Sequence, residues 1–294
     1  MKYGLLIYNN SYNFGDEIQS IAAKQFLPQI HYLIDRDSGE ITSLNNEDNK
    51  DQEIKVIYNG WFDGQYCKFP PSERIKPLFV SFHLNEIDHS KDKSFDFLKK
   101  NDKFISLLEY KDFWKRHEPI LCRDINTANK FENIKIKSEF SACLTLTLEN
   151  TIKERGDEIL IVDTHCLYPE LYKELIPKDI KGKAIHLYQS VKKKLDHDEK
   201  MKLAQKHLDK LQSAKLVITS RLHTLLPCIA YKTPVVFIHG DKDDIRFSGL
   251  KQFFTIYGKG DVVDFADISK FIVQNDDLDK YVLNIKKRIY EFLN

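Results

Sequence analysis

Two side chains suited to chemistry stand two positions apart in Ser220-Arg221-Leu222-His223. A guanidinium is a planar, two-pronged donor that matches a phosphate or carboxylate, and an imidazole moves protons near neutral pH. The pair therefore suits an anionic substrate undergoing acid/base chemistry. Arg123 and Arg246 are further candidate anion contacts. An ion pair with Asp124 or Glu118 explains Arg123 equally well, as such pairs are common without function. Near the start of the chain, Asn13, Gly15 and Asp16 offer side-chain hydrogen bonds and a backbone that can approach a ligand closely. A plain Asn-Gly turn in which Asp16 caps the next helix accounts for the same residues. Trp61, His83 and Glu86 follow apolar runs and complete the polar candidates.

These residues need elements to hold them. Leu216–Thr219 is a short β-branched run that stops at Ser220, and an apolar-periodic segment from Leu222 to Ala230 leads to a second run, Pro234–Ile238. That is a strand, turn, helix, strand unit with Arg221 and His223 where the helix begins, the place where α/β sheets bind ligands. Tyr3–Tyr8 reads as the first strand, with a helix through Ile18 and Ala22 after its loop. Tyr32–Asp35, Ile54–Tyr58 (ending in a turn at Asn59–Phe62), Pro77–Phe82 and Pro119–Asp124 read as later strands. Phe95–Lys100 and Tyr110–His117 read as helices, and Phe104–Leu107, Ile134–Ile136 and the strictly alternating Cys143–Leu148 as strands. After the charged run Glu149–Asp157 the pattern restarts with strands Ile159–Val162 and Ala184–Leu187. Helices Tyr168–Leu175 and His197–Ser213, a last strand Asp261–Asp264 and a final helix Leu278–Leu293 belong to this half. No period of 20–50 residues marks a solenoid.

Bulk properties narrow the function. The 294 residues suffice for one large or two ordinary domains, and 45 basic against 44 acidic side chains leave a net charge of +1. Such balance gives no general attraction to nucleic acid or anionic membrane, so an anion must be held locally. No apolar run approaches the ~20 residues of a membrane span, and the opening MKYGLLIYNN lacks a secretory pattern, so a cytoplasmic location is expected. Five cysteines without C-x-x-C spacing argue against a disulfide framework and a zinc site. The acids of Asp241–Phe247 lack the spacing of a calcium loop, and no metal is expected.

Thr219-Ser220-Arg221-Leu222-His223, followed by a helix and Thr233-Pro234-Val235-Val236, resembles the C-terminal signature of the polysaccharide pyruvyl transferase family. Tyr12-Asn13-Phe14-Gly15-Asp16-Glu17-Ile18-Gln19 resembles that family's N-terminal N-x-G-D loop, and Arg123-Asp124 matches its strand, Arg-Asp, helix step. The resemblance implies two Rossmann-like α/β lobes facing a cleft, similar to the glycosyltransferase-B architecture. The lobes are expected at residues 1–150 and 151–277, with a helix over 278–294 packing back on the first. It also implies transfer of a pyruvyl group from phosphoenolpyruvate to two sugar hydroxyls as a ketal, without a cofactor. Arg221, Arg123, Ser220 and Arg246 would hold the donor, and His223 with Arg221 would be catalytic. Asn13, Gly15, Asp16 and Trp61 would meet the acceptor, with Tyr12 and Phe14 also able to stack on a sugar. A nucleotide-sugar glycosyltransferase and a non-catalytic carbohydrate-binding protein remain open on the same scaffold.

Overall fold

The computed structural model describes residues 1–45, 49–63, 67–85 and 110–294. The expected helix at 95–100, the strand at 104–107 and Glu86 lie outside them. The fold is mixed α/β with two largely parallel sheets. By contacts the chain divides into a first unit, Met1–Asn9, Ala23–Ser141 and Lys287–Asn294, and a second, Asn10–Ala22 and Ala142–Lys286. The loop bearing Asn13, Gly15 and Asp16 thus groups with the later half of the chain, although the sequence puts it beside the first 150 residues.

The first unit holds, among the described residues, a seven-stranded sheet in the order β3-β2-β1-β4-β5-β6-β7. Its strands are β1 (Lys2–Ile7), β2 (Tyr32–Asp35), β3 (Ile41–Ser43), β4 (Ile54–Asp63), β5 (Ile75–Asn85), β6 (Ile120–Cys122) and β7 (Ser138–Phe140). All neighbours are parallel except the edge pair β2 and β3. Buried on both faces, such strands read as apolar runs rather than alternating ones. Helix α1 (Gly15–Lys24) follows β1 but groups with the second unit as far as Ala22, and α2 (Lys111–Lys115) delivers Trp114 to an aromatic core of the first. Trp114 stacks on Phe69 at 4.7 Å and meets Phe131 edge-on at 4.8 Å. Helix α3 (Ile125–Asn133) starts at Asp124, whose side chain accepts the Thr127 N–H.

The second unit is a five-stranded, all-parallel sheet among the described residues, in the order β12-β11-β10-β8-β9. Its strands are β8 (Ile159–Val162), β9 (Ile185–Leu187), β10 (Leu216–Thr219), β11 (Val235–Ile238) and β12 (Ile256–Tyr257). Short helices α4 (Thr164–Leu167), α5 (Pro169–Leu175) and α6 (Lys178–Lys183) connect β8 to β9. Helix α7 (His197–Ser213) begins with a reciprocal capping box between Asp196 and Glu199. Helix α8 (Leu222–Ala230) follows β10, and α9 (Asp276–Leu293) ends the fold. The chain leaves β8 first for β9 on one side and then returns for β10 on the other. The strand order therefore reverses between β8 and β10, the switch point at which open α/β sheets bind ligands outside the carboxyl ends of their strands.

Several expectations are corrected. Leu144–Thr147 is a buried 3₁₀ turn, although its alternation reads as a strand. Thr147 bends its hydroxyl back onto Leu144 O at 2.7 Å, a local bond that competes with a ladder. Neither 134–136 nor 261–264 is a strand; the chain pairs instead at β7 and β12. The expected turn at 59–62 is strand, because β4 absorbs a register shift between Tyr58 and Gly60 and runs on to Asp63. Asp16 lies inside α1 rather than capping it. Phe14, expected to stack on a sugar, is buried against His207 with ring centres 5.3 Å apart.

Candidate active site

The site is built where β8 and β10 end. After Val162 the backbone turns through the left-handed region at Asp163, with φ at 57°, a conformation an aspartate tolerates better than most side chains. The turn buries the Asp163 carboxylate completely, and its Oδ2 accepts from Arg221 Nε at 2.6 Å and from the Gln189 N–H at 3.1 Å. Arg221, half-buried at the first residue past Ser220, is thereby held by its inner nitrogen. Its two terminal amino groups have no protein partner among the described residues. A guanidinium fixed at Nε presents its outer edge as a rigid bidentate donor. Beside it, Ser220 Oγ donates to Thr164 Oγ1 at 3.1 Å. No side chain caps α8, so its positive end is left for a ligand.

His223 sits in the first turn of α8 with φ −82° and ψ 16°, outside helical values. The cause is legible in the sequence. Pro227 stands four residues later, lacks the N–H that would bond His223 O, and its ring crowds that carbonyl. The kink sets His223 apart from the helix it belongs to, with the side chain 8% exposed.

The loop 10–15 is bound to the same unit by a short antiparallel bridge between Asn13 and Ser190. Phe14 N–H donates to Gln189 O at 3.1 Å and Val191 N–H to Tyr12 O at 2.9 Å. Gly15 packs so tightly that a Cβ would lie 2.1 Å from Gln189 Nε2, which gives its glycine a packing reason. Asp16 accepts from Ser11 Oγ at 2.6 Å and from Gln19 Nε2 at 3.2 Å. The next residue, Glu17, is fully buried and pairs with buried Lys200 of α7 at 2.8 Å. Burial pushes the Glu17 carboxyl above its ordinary value, against the pull of Lys200. The sequence marks neither member of this pair, because an acid and an amine 183 residues apart carry no joint signal. Gln189 and His207 carry no sequence signal for the same reason.

The remaining candidates have partners of their own. Arg246, after β11, is bound to Asp244 through Nε at 2.9 Å and Nη2 at 2.5 Å, so its charge is already matched. Arg123 and Trp61 belong to the first unit. Arg123 is 2% exposed at the end of β6, with Nε 3.9 Å from Asp124 Oδ2. Asp124 also meets His83 Nδ1 at 2.5 Å, and both side chains are wholly buried. Burial first, and then the Arg123 charge, push His83 down to about 4 in spite of Asp124. Burial would raise the Asp124 carboxyl, but the His83 bond and charge, with Arg123 and the Thr127 N–H, hold it below its ordinary range. Trp61 lies against the Arg36 guanidinium, 5.7 Å from its ring centre. As the sequence leads one to expect, Arg123 follows a strand end, and there it is buried beside Asp124. Among the described residues no group of three or more His, Cys, Asp or Glu could hold a metal, and no helix is long and apolar enough to cross a membrane.

Comparison with known proteins agrees with the motifs. The family model "Polysaccharide pyruvyl transferase" matches residues 13–241, spanning both the Asn13 loop and the Arg221 helix. Among solved structures, an uncharacterized protein from Klebsiella pneumoniae is similar with a TM-score of 0.42 and 13% identity, over 90% of this chain and 93% of that one. The wall teichoic acid polymerase TagF is similar with a TM-score of 0.36 and 10% identity, over 99% of this chain and 82% of that one. A search of curated protein sequences returns no match.

Proposed function

As the chain belongs to the polysaccharide pyruvyl transferase family, and is a transferase, we propose that it moves a pyruvyl group from phosphoenolpyruvate to a pair of hydroxyls on a sugar of a polysaccharide or its precursor. The observation that carries this reading is the Arg221 guanidinium, clamped by buried Asp163 with its outer edge unpaired, two residues from a kinked histidine. Phosphoenolpyruvate brings a phosphate and a carboxylate close together, and a bidentate donor beside an uncapped helix start matches that charge. Ser220 adds a hydroxyl to the same corner.

In the proposed reaction a proton adds to C3 of the donor, which leaves C2 electron-poor. A sugar hydroxyl oxygen bonds to C2 and gives up its proton, the bond from C2 to the phosphate oxygen breaks so that phosphate leaves with the bonding pair and a proton, and the second hydroxyl oxygen bonds to C2 with loss of its own proton, closing the ketal. His223, two residues from Arg221, is proposed to supply or accept these protons. Asp16 and exposed Tyr12 are proposed to meet the sugar. The test is phosphate release from phosphoenolpyruvate across a panel of sugar acceptors. Turnover that disappears in His223→Ala while phosphoenolpyruvate still binds supports the reading. Binding of nucleotide sugars in place of phosphoenolpyruvate, with no phosphate released from the latter, overturns it.

A further inference from the structure

Gln189 lies outside every motif in the sequence, yet in the second unit it touches Asn13 and Phe14 of one motif and Asp163, the support of Arg221, in another. It is 1% exposed. Its N–H donates to the carboxylate that holds Arg221, and its carbonyl accepts the Phe14 N–H at 3.1 Å. Its side-chain amide lies between Asn13 Oδ1 at 2.9 Å and Thr224 Oγ1 at 2.6 Å, and Thr224 in turn meets His207 Nε2 at 3.1 Å.

One backbone group sets the direction of this whole chain of bonds. Gly15 N–H, which can only donate, lies 3.1 Å from the Asn13 side-chain atom that also faces Gln189. That atom must therefore be the amide oxygen. Gln189 must meet it with its NH₂, which turns its own oxygen to Thr224. The Thr224 hydroxyl then gives its single proton to Gln189, and His207 must donate to Thr224 from Nε2. Burial pushes His207 down to about 4, so the ring is neutral and has one N–H to place there.

The consequence falls on Asn13. With two donors already on its oxygen, the only hydrogen-bonding group it has left for a ligand is its NH₂, which has no protein partner among the described residues. We infer that Gln189 is a positioning residue that locks Asn13 as a hydrogen-bond donor, which assigns the Asn13 side chain to the anionic oxygens of phosphoenolpyruvate rather than to a proton-giving sugar hydroxyl. The inference rests on the pyruvyl-transfer reading for the identity of that anion. The orientation of Asn13 itself does not.

Two measurements separate these. In the full-length ¹⁵N-labelled protein, the Asn13 side-chain NH₂ signals, identified by their loss in Asn13→Asp, should exchange rapidly with water and shift on addition of phosphoenolpyruvate. The Gln189 NH₂ signals should be protected. A protected Asn13 NH₂, or a Gln189 NH₂ that exchanges as fast, overturns the orientation whether or not the protein turns over any donor. In turnover, Gln189→Glu keeps an acceptor for Thr224 but offers no donor to Asn13. It should raise the KM for phosphoenolpyruvate about 10-fold or more with kcat nearly unchanged, as expected for loss of a hydrogen bond to a charged group. Asn13→Asp should cost more, because it sets a carboxylate against the anion. A rise confined to the acceptor KM in both variants returns Asn13 to the sugar and overturns the assignment. Wild-type protein that releases no phosphate from phosphoenolpyruvate sinks the pyruvyl-transfer reading and leaves the exchange measurement to decide the orientation.

Discussion

At the residue scale, Asp163 and Arg221 act as one device. The carboxylate takes the inner nitrogen and leaves the outer two to a ligand, a division only a guanidinium allows. Arg221→Lys keeps the charge but has a single ammonium, which Asp163 would capture. It is expected to raise the KM for phosphoenolpyruvate nearly as far as Arg221→Ala does, and steady-state kinetics on both variants checks it. Equal kinetics for Lys and wild type would mean Arg221 acts only as a distant charge. His207 offers a prediction on stability. Its pKa falls on folding from 6.5 to about 4, chiefly by burial. The unfolded chain therefore binds a proton that the folded chain refuses throughout that window. Stability is full above pH 6.5 and declines as the pH drops toward 4, by roughly 3 kcal/mol at most from this group. Urea midpoints measured from pH 7 to 4 should flatten in His207→Gln, whose amide can still donate to Thr224. An unchanged slope in that variant would show that other groups dominate.

At the element scale, Pro227 is an interior helix proline with a task. Replacing it by alanine restores the bond from residue 227 N–H to His223 O and lets His223 return to helical dihedrals. The Tm should hold or rise, while kcat falls about 10-fold to 100-fold through a misplaced imidazole. A drop in Tm with normal kcat would make the kink merely structural. The same helix shows what the sequence makes legible. Strands such as LVIT and VVFI are buried on both faces and announce themselves, and the residues at their ends were found with them. Arg221, His223 and the Asn13 loop were all readable as short-range patterns. Cys143–Leu148 alternates with period two yet is no strand, because the same alternation is produced by a buried turn whose Thr147 hydroxyl bonds to the backbone of Leu144. Gln189, His207, Glu17 and Lys200 were invisible for a different reason: a buried polar group means nothing until its distant partner is known.

At the scale of the whole molecule, each of the two units is completed by a piece from the far side of the sequence. In the first, Lys55 Nζ on β4 donates to Leu293 O at 3.1 Å and to Phe292 O at 2.5 Å, which ties down the last turn of α9. In the second, Lys200 is neutralised by Glu17 and Gln189 holds Asn13. Glu17→Ala removes the carboxylate that faces the buried Lys200 ammonium, and should lower the unfolding free energy by about 3–5 kcal/mol. Glu17→Gln should cost less. Chemical denaturation of the two variants measures the difference, and equal small losses would show that Lys200 escapes to water.

The assembly of the second unit from residues 10–22 and 142–286 also bears on how the protein is made. Asn13 and Gln189 are 176 positions apart, so on the ribosome the first loop and the start of α1 emerge long before the strands that hold them exist. During that interval Glu17, Ile18 and Phe14, all buried in the finished protein, have nothing to be buried against. Contacts so distant in sequence slow folding, and exposed apolar segments invite association with other chains. A nascent chain stalled short of residue 189 should therefore carry an N-terminal segment open to protease and attractive to chaperones. That susceptibility should vanish only once α7 and the strand before it have left the exit tunnel.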